Sequence, residues 1–123
     1  GAAKAIELNV TGAFHSPLMN SAKSAMSKAL DEITLNIPSF PIVMNVTAKP
    51  VTNPELIQKN LISQLDRPVR WVETIAKLID SGVYDFIETG PGRVLQGLNR
   101  RIDRSIPIRG IETFSQIKEL EIA

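Results

Sequence analysis

Residues 84–95 read YDFIETGPGRVL, and this stretch decides the fold class because its hydrophobic pattern changes at Gly90-Pro91-Gly92. The short apolar run before the turn predicts a strand over residues 84–88. After the turn, apolar residues recur at helical spacing, which predicts a helix with one inward face. The positions predicted to face inward are Val94, Leu95, Leu98 and Ile102. A last strand over residues 106–111 contains a proline, which favours the edge of a sheet.

The same alternation of strands and helices continues on both sides of this stretch. Helix caps, glycine terminators and changes of hydrophobic period give each element its bounds. The predicted elements are a strand at 5–10, a helix at 21–33 capped by Asn20 or Ser21, a strand at 42–46, a helix that begins at Asn53-Pro54-Glu55 and ends before Arg67, a helix at 69–81 that Gly82 terminates, and a final helix at 115–121. Such alternation predicts an open, mostly parallel α/β sheet. Because the pattern begins in its middle, we expect the C-terminal portion of a larger sheet.

The composition argues against several classes of protein. With 14 Lys and Arg against 13 Asp and Glu, the net charge is +1, without the basic excess of a nucleic-acid-binding protein. Cysteine is absent, which excludes disulfides and a thiol nucleophile and is compatible with a cytoplasmic location. No apolar run approaches the roughly 20 residues that cross a bilayer, so we expect no membrane span. One histidine without clustered carboxylates makes a poor metal site, so we expect no metal.

The sequence GAFHSPLM at residues 12–19 contains the only histidine of the chain, His15. Histidine has an unperturbed pKa of roughly 6.5, which suits a general base. Phe14 and Pro17 would hold the ring in place and favour that interpretation. The structural alternative is an ordered histidine in a turn ahead of the next helix. A base here would have no evident nucleophile in the same residues, because no serine lies in a Gly-x-Ser-x-Gly context.

Three further features each have a functional and a structural interpretation. Gly90-Pro91-Gly92 follows a strand at the sheet edge where ligands bind, so it is either a weak phosphate motif or a tight turn. Arg93, Arg100 and Arg104 fall on one face of the predicted helix, which is either solvated or suited to an acidic partner. Asn45 ends an apolar strand, where it is either a site residue or a polar group that fixes a loop.

Four motifs occur together in a recognisable order. They are GAFHSPLM at 12–19, IVMNVTA at 42–48, QLDRPVRW at 64–71 and ETGPGRVL at 88–95. In this order and at these spacings they closely resemble the C-terminal part of the bacterial-type malonyl-CoA:acyl carrier protein transacylases. They are also similar to the acyltransferase domains of fatty acid and polyketide synthases. The resemblance implies the acyltransferase fold. Residues 1–11 would be the last strand of a small ferredoxin-like subdomain, and residues 12–123 the C-terminal part of the large α/β hydrolase-like subdomain.

The resemblance also implies a reaction and a set of site residues. The family transfers a malonyl group from CoA to the phosphopantetheine thiol of acyl carrier protein in fatty acid synthesis, through a serine acyl-enzyme. His15 matches the histidine that acts as base and then as acid, and Gln64 matches the residue whose backbone carbonyl orients it. Phe14 matches a bulky position that leaves little room for an α-methyl branch. The segments that approach the substrate cleft in the family contain Asn45, Gly90 and Val94.

The serine nucleophile, the malonate-binding arginine and the oxyanion loop of the family have no counterpart in these residues. We therefore expect the chain to be inactive alone and to associate with the N-terminal part of the same enzyme. The other expected partners are acyl carrier protein and a coenzyme A thioester, and no cofactor beyond these substrates is implied. One alternative function is a non-catalytic module that docks the acidic carrier protein through Arg93, Arg100 and Arg104. Another is nucleotide binding at Gly90-Pro91-Gly92.

Overall fold

The computed structural model describes residues 5, 7 and 12–119, which divide into two units, Gly1–Arg70 and Trp71–Ala123. The predicted strand at 5–10 and the predicted subdomain boundary after residue 11 therefore lie outside the described residues, apart from residues 5 and 7. Within the described ranges, no helix is long and apolar enough to cross a bilayer.

Among its described residues, the first unit contains two α-helices, a short 3-10 helix and one β-hairpin. Their bounds are Pro17–Met19 for the 3-10 helix, Ala22–Asp31 for α1, Ile42–Met44 for β1, Lys49–Val51 for β2 and Pro54–Ser63 for α2. α2 begins as the sequence predicts, because the Asn53 Oδ1 accepts the Leu56 N–H at 2.9 Å and a proline occupies the first turn. The buried apolar side chains of this unit are Leu30, Met44, Ala48 and Ile57.

The predicted side-chain cap of α1 is wrong. Ser21 occupies the N-cap position, but its φ of −60° and ψ of −28° are already helical, and its side chain makes no capping hydrogen bond. Asn20, the other predicted cap, is helical as well, with φ −60° and ψ −33°. A capping side chain needs extended backbone. Ser16 has that backbone, and its Oγ accepts the Leu18 N–H at 3.4 Å, so the cap lies ahead of the 3-10 helix instead.

The predicted strand at 42–46 is shorter than expected and turns back into a hairpin. β1 and β2 pair antiparallel, with Val43 opposite Pro50. Ala48 makes the turn, since its φ is 49° and its N–H binds the Met44 carbonyl at 2.8 Å. Proline lacks an N–H and is tolerated in edge strands, and both strands of a two-stranded sheet are edges. Pro50 can therefore lie within β2, the returning strand.

The second unit contains a parallel strand–helix–strand connection with a helix on each side of it in sequence. The bounds are Trp71–Asp80 for α3, Phe86–Thr89 for β3, Val94–Ile102 for α4, Ile108–Ile111 for β4 and Phe114–Lys118 for α5. β3 and β4 pair in parallel, with Phe86 opposite Ile108, which confirms the α/β class. Gly82 follows α3 with a φ of 89°, as expected of a helix terminator. The buried apolar side chains of this unit are Ile75 and Ile111.

The predicted inward face of α4 is wrong in part. The most exposed of its four predicted positions are Val94, at 70%, and Leu98, at 37%. The polar Gln96 and Asn99 are buried instead, at 7% and 4% exposed. Asn99 accepts the Trp71 indole N–H at 2.9 Å, and Gln96 packs on Gly110, where a Cβ would lie 2.5 Å from the Gln96 Nε2. The hydrogen bond to Asn99 and the close approach of Gln96 to a glycine therefore override the apolar pattern.

Candidate active site

His15 lies in a loop that holds its backbone in an uncommon conformation. Its φ is 60°, in the left-handed region that residues other than glycine seldom occupy. The Ser16 Oγ donates to the Ala13 carbonyl at 2.7 Å, and the 3-10 helix Pro17–Met19 follows directly. Such conformations persist only where surrounding contacts enforce them, and they cluster at functional sites. The backbone of His15 thus marks this loop as a candidate site.

The C-terminal end of α2 receives His15. The last carbonyls of a helix lack partners within the helix. Here the Leu65 carbonyl accepts the His15 backbone N–H at 3.1 Å, and the Gln64 carbonyl lies 2.7 Å from the His15 Nδ1. A carbonyl oxygen only accepts, so Nδ1 carries the proton and the lone pair of the neutral ring lies on Nε2. The structure therefore brings the predicted base into contact with the backbone of Gln64.

The His15 ring is exposed, and the Gln64 carbonyl holds it at Nδ1. The second ring nitrogen, Nε2, is therefore the one that can exchange a proton with a reacting group. A ring held at one nitrogen in this way suits a group that acts as base and then as acid.

An ion pair lies beside this contact. The Lys23 Nζ, on α1, is 2.6 Å from the Asp66 Oδ2, one residue after Leu65. The hydrogen bond from Lys23 holds the pKa of the Asp66 carboxyl below its ordinary value, although burial opposes that shift. The segment that carries the two carbonyls is therefore attached to α1 as well as to the histidine loop.

Phe14 and Asn45, two further predicted site residues of this unit, have different surroundings. Phe14 is 62% exposed, and its ring lies against Gly12, where a Cβ would approach the ring carbon Cε2 to 3.0 Å. Asn45 is half-buried after β1, and its carbonyl accepts the Arg70 N–H at 2.9 Å. These contacts fix the two backbones, and the substrate roles of both residues remain predictions.

In the second unit, a buried carboxylate precedes the turn at Gly90-Pro91-Gly92. The two glycines have φ values of 121° and 88°, which side chains rarely adopt. The Glu88 carboxylate accepts the Leu95 N–H at 2.8 Å and the Gln96 N–H at 3.1 Å, at the start of α4. These hydrogen bonds, of which the one from the Leu95 amide has the largest effect, keep the pKa of Glu88 below its ordinary value, although burial opposes the shift. Glu88 thus fixes where the turn ends and the helix begins.

The same carboxylate weakens the interpretation of the turn as a nucleotide site. A phosphate at a helix N-terminus is bound by the free N–H groups of the first turn. Two of those groups in α4 already bind Glu88, and a phosphate would meet a second negative charge there. The structure therefore favours the interpretation of Gly90-Pro91-Gly92 as a tight turn.

The three predicted arginines do not share one helical face. α4 spans Val94–Ile102, so Arg93 precedes it, Arg104 follows it and only Arg100 lies within it. Helical spacing does not apply beyond the ends of a helix, which is why the prediction from spacing is wrong. The basic residues that line one surface groove of about 640 Å³ are Arg100, Arg101, Arg104 and Arg109. The groove is basic, but Arg93 is not part of its lining.

The predicted site residues are divided between the two units. The first unit contains Phe14, His15, Asn45 and Gln64, and the second contains Gly90, Arg93, Val94, Arg100 and Arg104. His15 and Gln64 are in direct contact.

Glu88 and the ion pair of Lys23 with Asp66 are not among the residues predicted from the sequence. Glu88 had a usable signal, an acidic residue shortly before a helix start, where negative charge is favoured. The ion pair had none, since its members are far apart in sequence.

No family model matches the chain. The known proteins that are similar to it in sequence and those that are similar in structure are malonyl transferases alike. The malonyl CoA-acyl carrier protein transacylase of Staphylococcus aureus (strain COL) is 38% identical over 118 residues, which cover 96% of this chain and 38% of that protein. The crystal structure of an acyl-carrier-protein-S-malonyltransferase from Bartonella henselae has a TM-score of 0.88 and 39% identity, covering 97% of this chain and 38% of that one. The structure of a type II polyketide synthase acyl carrier protein in complex with its malonyl-transacylase gives a TM-score of 0.88 and 38% identity, covering 100% of this chain and 40% of that one. The chain thus spans about two-fifths of the length of these relatives.

Proposed function

We propose, since the chain belongs to the malonyl CoA-acyl carrier protein transacylase family, that it supplies the histidine base for transfer of a malonyl group from coenzyme A to acyl carrier protein. The observation that carries this proposal is the 2.7 Å contact between the His15 Nδ1 and the Gln64 carbonyl. It fixes the ring and its tautomer, which is the task of the third group in a nucleophile–base–orienter arrangement. The reaction so described needs no cofactor beyond the two substrates.

In the first half-reaction, the His15 Nε2 takes the proton of a serine hydroxyl while the serine oxygen attacks the malonyl thioester carbonyl. The C–S bond to coenzyme A breaks as the acyl–serine ester forms. The imidazolium then gives its proton to the departing thiolate, so the ring ends neutral. We assign the serine to the N-terminal part of the enzyme, because none lies in a nucleophile elbow within these residues.

In the second half-reaction, the same Nε2 takes the proton of the phosphopantetheine thiol of acyl carrier protein. The thiolate attacks the acyl–serine carbonyl, a new thioester forms and the serine oxygen leaves with the proton returned by His15. The Gln64 carbonyl keeps Nδ1–H in place in both directions of proton transfer. One ring, held by one backbone group, therefore serves both half-reactions.

Four residues are proposed to contact the acyl group of the substrate. Phe14 precedes the base, and its bulky ring would disfavour an α-methyl branch on the substrate by about 1–3 kcal/mol. The other residues proposed to contact the substrate are Asn45, Gly90 and Val94. The exposure of Val94, at 70%, and of Phe14, at 62%, leaves both side chains accessible to a ligand.

Recognition of the carrier protein is proposed to use Arg93, Arg100 and Arg104. Two of these line the basic groove, which would attract an acidic protein by charge complementarity. One solved relative is a malonyl-transacylase in complex with an acyl carrier protein. The alternative function, a module that docks the carrier without chemistry, would use the same arginines but would not require His15.

The proposal is tested by comparing the 123-residue chain with a chimeric enzyme. In the chimera, this chain replaces the matching 118 residues of the Staphylococcus aureus transacylase. Mass spectrometry of acyl carrier protein then measures malonyl transfer from malonyl-CoA. We expect no turnover by the chain alone, because it lacks the nucleophile, and turnover by the chimera. Addition of the N-terminal part of the relative to the chain is expected to restore some activity.

Two results would contradict this proposal. Robust transfer by the isolated chain would show that its own residues supply the nucleophile. A chimera that is folded by circular dichroism and monodisperse, yet inactive, would show that this chain does not supply a functional base. Carrier binding without activity in that chimera would favour the docking module instead.

Replacement of the Gln64 side chain is expected to have little effect. In the Gln64→Ala variant of the chimera, the backbone carbonyl that contacts His15 is retained, so kcat/KM should stay within about threefold of the parent, a change below 1 kcal/mol. Steady-state kinetics of malonyl transfer measure this. A loss as large as that caused by removing His15 would show that the amide side chain, and not the carbonyl, orients the ring.

A further inference from the structure

The ion pair between Lys23 and Asp66 is placed where it can control the base. Asp66 directly follows Gln64 and Leu65, whose carbonyls bind the His15 Nδ1 and backbone N–H. Lys23 lies near the start of α1, shortly after the histidine loop. Two contacts therefore connect the histidine loop to this segment, and the ion pair connects α1, the next α-helix after His15, to the same segment.

The pair is partly withdrawn from solvent, which makes its loss costly. The Lys23 and Asp66 side chains are 29% and 15% exposed, and their charged atoms are 2.6 Å apart. The Asp66 Oδ1 is buried and has no hydrogen-bond partner within the part of the chain that the structure describes. Without Lys23, the carboxylate would keep its partial burial but lose its partner, and the segment would have to move to let water reach it.

We propose that Lys23 and Asp66 are positioning residues that hold the Gln64 carbonyl against the His15 Nδ1 and so keep the base in its Nδ1–H tautomer. This rests on the proposed function for its catalytic meaning. The tautomer decides catalysis because a ring protonated at Nε2 has no lone pair there to take a proton. A small shift of the segment would lengthen the 2.7 Å hydrogen bond between the Gln64 carbonyl and Nδ1. The interaction that selects the tautomer would then be weaker.

A hydrogen bond between α1 and α2 themselves provides a matched control. The Gln58 Nε2 of α2 donates to the Asp31 Oδ1 of α1 at 2.8 Å. Gln58 lies in the middle of α2, away from the carbonyls at its C-terminal end, and Asp31 is the last residue of α1. Loss of this contact is expected to weaken the packing of α1 on α2 without changing the position of the Gln64 carbonyl.

The test measures the histidine tautomer in the 123-residue chain by nitrogen-15 NMR. The chain has one histidine, so its imidazole signals need no assignment. We expect the Nδ1–H form to dominate in the wild type. In Lys23→Met, the ratio of Nδ1–H to Nε2–H should fall about two- to tenfold, the range that corresponds to one typical hydrogen bond. Lys23→Arg, which keeps the charge, should restore the ratio.

Gln58→Leu is expected to lower the melting temperature and leave the ratio unchanged, since a purely structural contact does not select a tautomer. An unchanged ratio in Lys23→Met, or an equal change in Gln58→Leu, would overturn the proposal. If Lys23→Met lowers the folded population, Asp66→Asn repeats the test with the same two outcomes, because it removes the charge and keeps the shape. The ratio is read without any transacylase activity, so an inactive chimera would count against the proposed function alone.

Discussion

His15→Ala in the chimeric enzyme is expected to lower the rate constant for malonyl transfer by about 10²–10⁴-fold, the usual contribution of a positioned general base. The effect should fall on both half-reactions, because the same Nε2 takes the serine proton and then the thiol proton. Pre-steady-state release of coenzyme A measures the first half, and malonylation of acyl carrier protein measures the second. The Kd for acyl carrier protein should not change.

Variants of the three arginines are expected to show the opposite of His15→Ala, with carrier binding impaired and chemistry retained. The comparison therefore separates catalysis from carrier docking. Reversal of charge at Arg93, Arg100 and Arg104 should raise KM for acyl carrier protein, with a strong dependence on salt, and leave kcat for a small thiol acceptor near normal. Added imidazole should restore part of the rate in His15→Ala and none of the binding in the arginine variant. If His15→Ala instead retained full transfer activity with intact carrier binding, the assignment of the base would be wrong.

Glu88→Gln is expected to lower the melting temperature of the second unit by about 4–8 °C, the shift that loss of one typical hydrogen bond gives in a small domain. The glutamine keeps the shape of the side chain but removes the negative charge and presents an N–H₂ group to N–H donors. Two amides at the start of α4 would then lose a charged acceptor. Thermal unfolding followed by Trp71, the only tryptophan, measures this in the same unit.

The effect of Glu88 should depend on pH with a defined sign. Hydrogen bonds lower the pKa of Glu88 in the folded state, so its contribution to stability is fully present above the unfolded value of about 4.3. The contribution is lost as the pH falls through the lower folded pKa. Wild type and Glu88→Gln should therefore differ in melting temperature at pH 7 and converge in acid.

Glu112→Gln serves as the matched control for this charge. Glu112 is an exposed glutamate of the same unit, so the substitution removes an equal charge without removing a buried acceptor. It should change the melting temperature little at any pH. A difference between wild type and Glu88→Gln that persists unchanged into strong acid would show that the effect is steric and not due to the carboxylate.

The elements that the sequence predicts correctly are those with local signals. The cap and proline at the start of α2 and the glycine after α3 specify backbone conformation within a few residues. The parallel pairing of β3 and β4 follows from the helix between them, since parallel strands need a crossover. These features depend on neighbours in sequence, so the printed residues suffice to predict them.

The features that the sequence did not reveal depend on contacts between distant residues. Gln96 and Asn99 are buried because of Gly110 and Trp71, which no helical periodicity includes. The hairpin of β1 and β2 depends on the left-handed backbone of Ala48. Alanine does not favour that conformation as glycine does, so the sequence does not predict it. For the candidate site, the motif containing His15 was enough by itself to suggest a general base. Its contact with the Gln64 carbonyl was expected only from the resemblance.

The left-handed backbone at His15 has a consequence for how this protein can be made more robust. A φ of 60° costs free energy in any residue with a Cβ, and glycine would relieve that cost. The substitution that relieves this backbone strain thus deletes the imidazole together with its hydrogen bond to the Gln64 carbonyl. Relief of the strain and retention of the proposed base therefore make opposing demands on this one residue.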